Sequence, residues 1–255
     1  MSGVALLIAA AIAAGLIAAL RPGPREPSGL PPQNRPGPVL LVPGYGGGTG
    51  ALDALAGRIR ATGRVAIVVR LPGTGTGSLV ADAAVLNTAV NRELGRGAPS
   101  VDVIGYSAGG VVTLIWARLD DGVAKARRVV TLGSPFHGTR LAAGAAGLVP
   151  GACPVACQQL VPGSSLLAGL RANDAAGLPH WLSLWTADDA TVTPPDSARL
   201  AGAISLSVQS LCPAARISHS QLPVSSIVTA TVLQAIGPSP LRYPSRAGVA
   251  AQCAR

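Results

Sequence analysis

The stretch VDVIGYSAGGVV, residues 101–112, constrains the fold of this 255-residue chain more than any other. Its first half carries the β-branched residues of a short buried strand, and the apolar spacing from Ala108 onward is that of a helix. Ser107 therefore lies on a sharp turn from strand to helix, with glycines two residues before and after it. This G-x-S-x-G pattern is typical of a nucleophile elbow, which exposes a serine oxygen above the edge of a sheet.

The remaining sequence alternates apolar β-rich segments with Ala- and Leu-rich segments of helical length. This alternation predicts the α/β class, with a mostly parallel central sheet of about six strands and helices on both faces. The predicted strands are residues 39–42, 65–70, 101–105, 128–132, 182–185 and 204–208. The predicted helices are residues 51–62, 79–94, 108–119, 164–170, 197–201 and 225–235. Ligands of such sheets bind at the carboxyl ends of the strands.

A serine hydroxyl is a weak nucleophile and needs a base and an acid to activate it. The order serine, acid, histidine along the chain selects His219, which follows the last predicted strand. Asp188 and Asp189 both follow the fifth predicted strand, and Asp189 is preferred because it stands three residues before Val192. The sequence therefore predicts a triad of Ser107, Asp189 and His219.

Acyl transfer also needs backbone N–H donors for the negative oxygen of its transition state. The amide of Ala108, directly after the serine, is the first predicted donor. The amide of Tyr45, in the glycine-rich segment VPGYGGG after the first strand, is the second. The same glycines would also fit a merely flexible turn, which would leave no second donor beside the serine.

The motifs GYSAG, VPGYGGG, DDATVTP and SHSQLP, found over residues 39–235, resemble those of the compact secreted bacterial lipases and esterases of the α/β-hydrolase family. The resemblance implies the α/β-hydrolase fold and hydrolysis of carboxylic esters through an acyl-enzyme. It makes Ser107 the nucleophile, His219 the base and Asp189 the acid that orients it. It also implies that residues 141–170 wall an acyl pocket, although ordinary core packing explains them equally well. The residues implied to line that pocket are Leu148, Val149, Leu160, Leu166 and Leu167.

The sequence departs from the family pattern in two places. Pro43 stands where many lipases have histidine, which leaves the outer support of the oxyanion loop open. The segment between the fourth and fifth strands is of moderate length, so no large lid is expected. An acyltransferase with an alcohol acceptor would use the same triad, and a catalytically silent surface protein would share the fold. Both stay as alternatives to an ester hydrolase.

The charge and composition of the chain limit the classes of molecule that it is expected to bind. The formal charge of +9 is scattered along the chain and aromatic residues are only 3%, which argues against nucleic acid. Net positive charge still favours anionic lipid or cell-wall surfaces. The three histidines are dispersed and no C-x-x-C pair occurs, so neither a metal nor a cofactor is expected. We expect a monomer that binds an ester or lipid substrate.

The N-terminal region divides into two segments ahead of the hydrolase domain at residues 38–255. Residues 1–20 are predicted to be a signal peptide or an N-terminal membrane anchor, because residues 3–20 carry no charged or polar side chain. Residues 21–37 are rich in proline and are predicted to be an extended linker. These features predict an extracytoplasmic protein, either secreted or anchored by its N-terminal segment.

The four cysteines support the same location, since an even number is typical of an oxidising compartment. We expect disulfides between Cys153 and Cys157 and between Cys212 and Cys253, the second of which would hold the C-terminal tail beside the loop of His219. Four cysteines allow three pairings, and unpaired buried thiols are the alternative to all of them.

Overall fold

The computed structural model describes residues 29–148, 151, 153–172 and 180–253. Six strands form one sheet in the order β2-β1-β3-β4-β5-β6, and every neighbouring pair in it is parallel. The strands are β1 (Val39–Val42), β2 (Ala66–Val68), β3 (Val101–Tyr106), β4 (Ala126–Leu132), β5 (Trp181–Trp185) and β6 (Ile204–Ser207). The predicted parallel sheet of about six strands is therefore confirmed.

Helices connect the strands and cover both faces of the sheet. They are α1 (Gly50–Arg60), α2 (Leu79–Gly95), α3 (Ala108–Leu119), α4 (Gly122–Lys125), α5 (Arg140–Leu148), α6 (Val155–Gln159), α7 (Ser165–Ala172), α8 (Val208–Leu211), α9 (Ser226–Ala235) and α10 (Arg246–Cys253). Two short 3-10 helices span Pro195–Ala198 and His219–Gln221. The first replaces the α-helix predicted at residues 197–201, because Pro194 and Pro195 restrict the backbone there.

The apolar core forms two layers, one on each face of the sheet. Alternate strand residues such as Leu40 and Val103 pack with α2, α3, α5, α6 and α7. Their neighbours Leu41 and Ile104 point to the opposite face and pack with α1, α8, α9 and α10. Because helices cover both faces, β1 consists entirely of apolar residues, and all four are fully buried.

An ion cluster of the buried Asp102 and Arg127 and the partly exposed Arg64 lies at the N-terminal edge of the sheet. Arg127 donates two hydrogen bonds to the Asp102 carboxylate, from Nε at 3.0 Å and from Nη2 at 2.6 Å. Arg64 Nη2 lies 2.8 Å from the same carboxylate. Arg127 also donates to the main-chain carbonyls of Gln33 and Gly237. The cluster therefore fastens the segments before β1 and after α9 to the strands.

Two disulfides link the cysteines in the predicted pairs, Cys153 with Cys157 and Cys212 with Cys253. The first closes a tight loop at the start of α6. The second joins the end of α10 to the residue after α8. Disulfides of this kind favour a location outside the reducing cytoplasm.

No helix within the described residues is long and apolar enough to cross a membrane. The predicted signal peptide or anchor at residues 1–20 lies outside those residues, as does the first part of the proline-rich linker. The described part of the linker, residues 29–37, contains turns and bends but no helix or strand.

Candidate active site

Ser107 stands at the junction of β3 and α3 with φ 53° and ψ −127°, a backbone conformation that non-glycine residues rarely adopt. Close packing of the strand against the first turn of α3 produces this geometry. A Cβ atom at position 105 would lie 2.6 Å from the Cα atom of Gly110, so only glycine fits there. The predicted strand-turn-helix around the serine is therefore present in the structure.

His219 follows β6 and α8 and begins a 3-10 helix that Ser218 and Gln221 cap reciprocally. Its Nε2 atom lies 2.9 Å from Ser107 Oγ, within hydrogen-bond distance. The imidazole is largely buried and packs beside the Tyr106 ring, with 5.1 Å between the ring centroids. These contacts fix the ring so that Nε2 faces the serine.

Asp189 follows β5 and is 5% exposed. Its Oδ2 atom lies 2.7 Å from His219 Nδ1, and its Oδ1 atom accepts hydrogen bonds from the amides of Thr191 at 2.9 Å and Val192 at 2.7 Å. Because an ionised carboxylate only accepts hydrogen bonds, Nδ1 carries the ring proton and its N–H donates a hydrogen bond to Oδ2, so Nε2 accepts a hydrogen bond from Ser107. The three predicted side chains thus form one hydrogen-bonded line.

The neighbouring Asp188 is placed differently, although sequence alone barely separates the two acids. It is exposed, and its Oδ2 atom accepts a hydrogen bond of 3.3 Å from Gln209. The structure therefore brings Asp189 to the histidine and leaves Asp188 on the surface.

The two predicted oxyanion donors flank the serine. A Cβ atom at position 44 would lie 2.9 Å from Ser107 Cβ, so the glycine-rich loop after β1 runs directly against the serine, and Tyr45 is its next residue. The Gly46 amide donates to the Gly75 carbonyl at 3.1 Å, which holds this loop in place. Among the hydrogen bonds of the described loops, none has the Tyr45 amide as donor, and Ala108 is the first residue of α3, where a helix leaves its N–H groups without intrahelical acceptors. Both N–H groups are therefore free for a ligand.

Tyr106, the residue before Ser107, contacts His219 through its ring and its hydroxyl. Its hydroxyl donates to the main-chain carbonyl of His219 at 3.3 Å. Burial, together with the nearby negative charge of Asp189, raises the pKa of Tyr106 to about 12. The phenol consequently keeps its proton, and its capacity to donate, throughout the neutral and mildly alkaline range.

An apolar cavity of about 260 Å³ opens beside Ser107. Its lining is Tyr45, Ser107, Pro135, Thr139, Leu141, Ala142, Ala145, Cys157, Leu160, Thr191 and Val192. The Thr139 hydroxyl already donates a hydrogen bond to the carbonyl of Thr191 at 2.7 Å, so it is not available as a donor to a polar ligand. The cavity suits an uncharged, apolar group attached to an atom near the serine oxygen.

The pocket residues implied by the family resemblance divide into three groups. Leu160 lines the cavity. Leu167 is fully buried in the core and Leu166 packs against the same core, because α7 turns this face toward α3 rather than toward the serine. The side chain of Leu148 and the whole of Val149 lie outside the described residues.

The resemblance implies residues 141–170 as the pocket wall, but the sequence did not predict helix α5 in that region or the alanines of this helix that line the cavity. Ala142 and Ala145 present one face of this helix to the cavity. Their spacing of three residues is the available signal, since positions i and i+3 share a helix face. The described residues contain no group of three or more histidine, cysteine, aspartate or glutamate side chains suited to a metal ion.

No protein-family model matches this sequence, and no curated protein resembles it significantly in sequence. Solved structures do resemble it. Lipase B of Aspergillus fumigatus superimposes with a TM-score of 0.71 at 17% identity, covering 86% of this chain and 56% of that one. Lipase BlEst2 of Bacillus licheniformis in its propeptide form has a TM-score of 0.64 at 18% identity, with 86% and 54% covered.

The mature form of the Bacillus lipase gives a TM-score of 0.59 at 17% identity, covering 82% of this chain and 90% of that one. This chain therefore spans just over half of the first two structures and most of the third. The structural neighbours are lipases and esterases of the α/β-hydrolase fold, and likeness at these identities shows that this chain shares their fold.

Proposed function

We propose that this chain of the α/β-hydrolase fold is a serine ester hydrolase, a lipase or carboxylesterase, that acts through an acyl-enzyme. One observation carries the assignment above all others. The hydrogen-bonded line from Asp189 through His219 to Ser107 ends at the mouth of an apolar cavity. A nucleophile, a base and an orienting acid in this geometry suit acyl transfer.

In the first half of the reaction, Ser107 Oγ attacks the ester carbonyl carbon while His219 Nε2 takes the hydroxyl proton. Asp189 holds the imidazole and stabilises the positive charge that it gains. The amides of Tyr45 and Ala108 donate to the oxygen that becomes negative. His219 then gives its proton to the leaving alcohol oxygen as the carbon–oxygen bond breaks, which leaves the acyl group on the serine.

In the second half, His219 takes a proton from a water molecule that attacks the acyl carbon. The same two amides stabilise the second tetrahedral intermediate. Its collapse returns the proton from the histidine to Ser107 Oγ and releases the carboxylic acid. An alcohol in place of the water would give a new ester, so the acceptor decides between hydrolysis and transfer.

The cavity indicates the class of acyl group. Its volume of about 260 Å³ and its largely apolar lining suit the hydrocarbon part of an acyl chain. We expect short and medium acyl chains to bind in it. Leu141 at the mouth is 59% exposed, so the cavity is open to esters in solution.

A panel of p-nitrophenyl esters from acetate to palmitate, with and without a detergent interface, tests this function. We expect turnover of the short and medium esters in solution, with no sharp rise above the micellar limit. A fluorophosphonate should label Ser107 alone, as read by peptide mapping. Absence of both turnover and labelling would indicate the silent protein, and a new ester formed from added alcohol would indicate the acyltransferase.

We also propose an extracytoplasmic location, secreted or anchored through residues 1–20. The two disulfides and the uncharged segment at residues 3–20 support it. The scattered charge of +9 would hold the protein near anionic lipid or cell-wall surfaces. Fractionation of expressing cells, with non-reducing peptide mapping of the product, checks both points. Four free thiols in a cytoplasmic fraction would contradict the location.

A further inference from the structure

We propose that the side chains of Thr186 and Gln209 form a latch that fixes Asp189 relative to His219. The acid lies on residues 186–192, called the acid loop, and the histidine on residues 215–221, called the histidine loop. Thr186 and Gln209 are positioning residues that act through the main chain of these two loops. This role rests on the proposed hydrolysis, because it concerns the geometry of the same site.

Thr186 is the first residue after β5, and its side chain is completely buried. Its Oγ1 atom donates a hydrogen bond of 2.6 Å to the carbonyl of Ile217, two residues before the histidine. The same oxygen accepts a hydrogen bond of 3.2 Å from the amide of Asp188. One hydroxyl thus joins the acid loop to the histidine loop.

Gln209, which is half-buried in α8, makes the same connection a second time. Its Oε1 atom accepts from the Ala187 amide at 2.9 Å, within the acid loop. Its Nε2 atom donates to Thr186 Oγ1 at 3.0 Å and lies 3.3 Å from the carbonyl of Ala215, in the histidine loop. With this contact the Thr186 hydroxyl uses its donor and both of its acceptor sites.

The latch matters because the two loops follow different strands and meet only at the sheet edge. The acid loop leaves β5, and the histidine loop comes after β6 and α8. The bond between Asp189 Oδ2 and His219 Nδ1 measures 2.7 Å, and a misplacement of ~1 Å in a catalytic group can cost about 100-fold in rate. Because Thr186 and Gln209 bond to main-chain groups of both loops, they set this distance independently of the acid and the histidine.

Thr186→Val removes the hydroxyl and keeps the side-chain shape, which makes it the first test. We expect kcat to fall by about 10- to 100-fold with KM within about twofold, since the misplaced pair acts mainly in the transition state. The downfield proton resonance of His219 Nδ1 should shift or broaden in the substrate-free protein. Thr186→Ser, which keeps the hydroxyl, should restore both the rate and the resonance.

Thr231→Val is the matched control. Thr231 is also completely buried, and its hydroxyl donates to the carbonyl of Ile227 inside α9, outside both loops. This variant should keep the wild-type kcat and resonance despite losing a buried hydrogen bond. If Thr186→Val does not fold, Gln209→Ala at the half-buried partner provides the test, with an expected loss of about tenfold in kcat.

Unchanged kcat and an unchanged resonance in folded Thr186→Val and Gln209→Ala would overturn the latch. Equal losses in Thr231→Val would also overturn it, since the effect would then be one of general stability. The resonance separates this inference from the proposed function. If the wild-type protein hydrolyses no ester but Thr186→Val alone still alters the resonance, the hydrolase assignment fails and the latch stands.

Discussion

The two edges of the sheet each bury a carboxylate, and the partners of the two differ. At the C-terminal edge, Asp189 faces two main-chain amides and the imidazole of His219. At the N-terminal edge, Asp102 faces the guanidinium groups of Arg64 and Arg127. An imidazole can take and return a proton near neutral pH, whereas a guanidinium stays charged. The partner therefore decides whether a buried carboxylate can assist proton transfer or only bind a fixed charge.

The Asp102 ion cluster and the hydrogen bonds of Asp189 also differ in the parts of the chain that they connect. The guanidinium groups of the Asp102 ion cluster continue to carbonyls of the segments before β1 and after α9, including those of Gly37 and Ile236. Asp189 instead holds its own loop and one ring, and the line ends at a serine oxygen beside a cavity. Breaking the first cluster should therefore lower stability, and breaking the second should lower activity.

Loss of the Ser107 hydroxyl should abolish activity while leaving the Asp102 ion cluster intact. Ser107→Ala should lower ester hydrolysis by ~10⁶-fold, because the proposed mechanism has no other nucleophile. Thermal stability should stay the same, since alanine keeps the Cβ atom on which the turn packs. Turnover of a short p-nitrophenyl ester and a thermal melt measure the two effects. A residual rate above roughly one hundredth of wild type would remove the serine from its assigned role.

Asp189→Asn should have the next largest effect, a loss of ~10⁴-fold in kcat, because an amide cannot hold the same imidazole tautomer. Asp188→Asn is the control within the same loop and should stay within about threefold, since that side chain is exposed. Steady-state kinetics of both variants on one ester give the ratio. Equal losses, or a larger loss at position 188, would reverse the assignment of the acid.

At the other edge, Asp102→Asn should reduce the free energy of unfolding by about 3–5 kcal/mol, because it leaves the buried guanidinium of Arg127 and the partly exposed one of Arg64 without their carboxylate. The activity of the molecules that remain folded should stay at the wild-type level. Denaturant titration measures the first value, and active-site titration normalises the second. Asp53→Asn, an exposed acid in the first turn of α1, should cost less than about 1 kcal/mol. A comparable cost at both positions would end the contrast between the edges.

A larger side chain in the cavity should change which acyl group is preferred. Ala145→Leu should fill part of it and lower the ratio of kcat/KM for octanoate over acetate esters by about tenfold. Ala146→Leu, on the exposed side of the same helix, should leave the ratio unchanged. If both variants alter the ratio equally, or neither does, the acyl group binds elsewhere.

The parts of the molecule that sequence predicted are those encoded by local patterns. The turn at Ser107 follows from strand and helix periodicities that meet at one residue, and the sheet order places the ends of β3, β5 and β6 at one edge. In the sequence, the spacing to Val192 distinguishes Asp189 from Asp188. In the structure, Asp189 Oδ1 accepts a hydrogen bond from the Val192 amide. In these cases the informative residues lie within a few positions of each other.

The parts that sequence missed depend on contacts between distant residues. Leu160 and Leu167 are equally apolar and both belong to the core, yet only Leu160 also lines the cavity, and only the packing of their segments distinguishes them. Helix α5 was not predicted because two glycines lower its helix propensity. Thr186 and Gln209 are 23 residues apart, and neither is unusual in its local sequence.

The position of residues 30–37 determines how the protein can be coupled to a solid support. Leu30 lies beside His180 and Trp181 at the start of β5, and the carbonyl of Gln33 binds Arg127, so residues 30–37 run along the edge opposite the cavity. A resin, a carrier protein or a lipid coupled ahead of residue 29 would therefore leave the mouth of the cavity pointing outward. Immobilisation through that end should preserve access for dissolved esters, whereas coupling through the exposed Tyr45 would obstruct it.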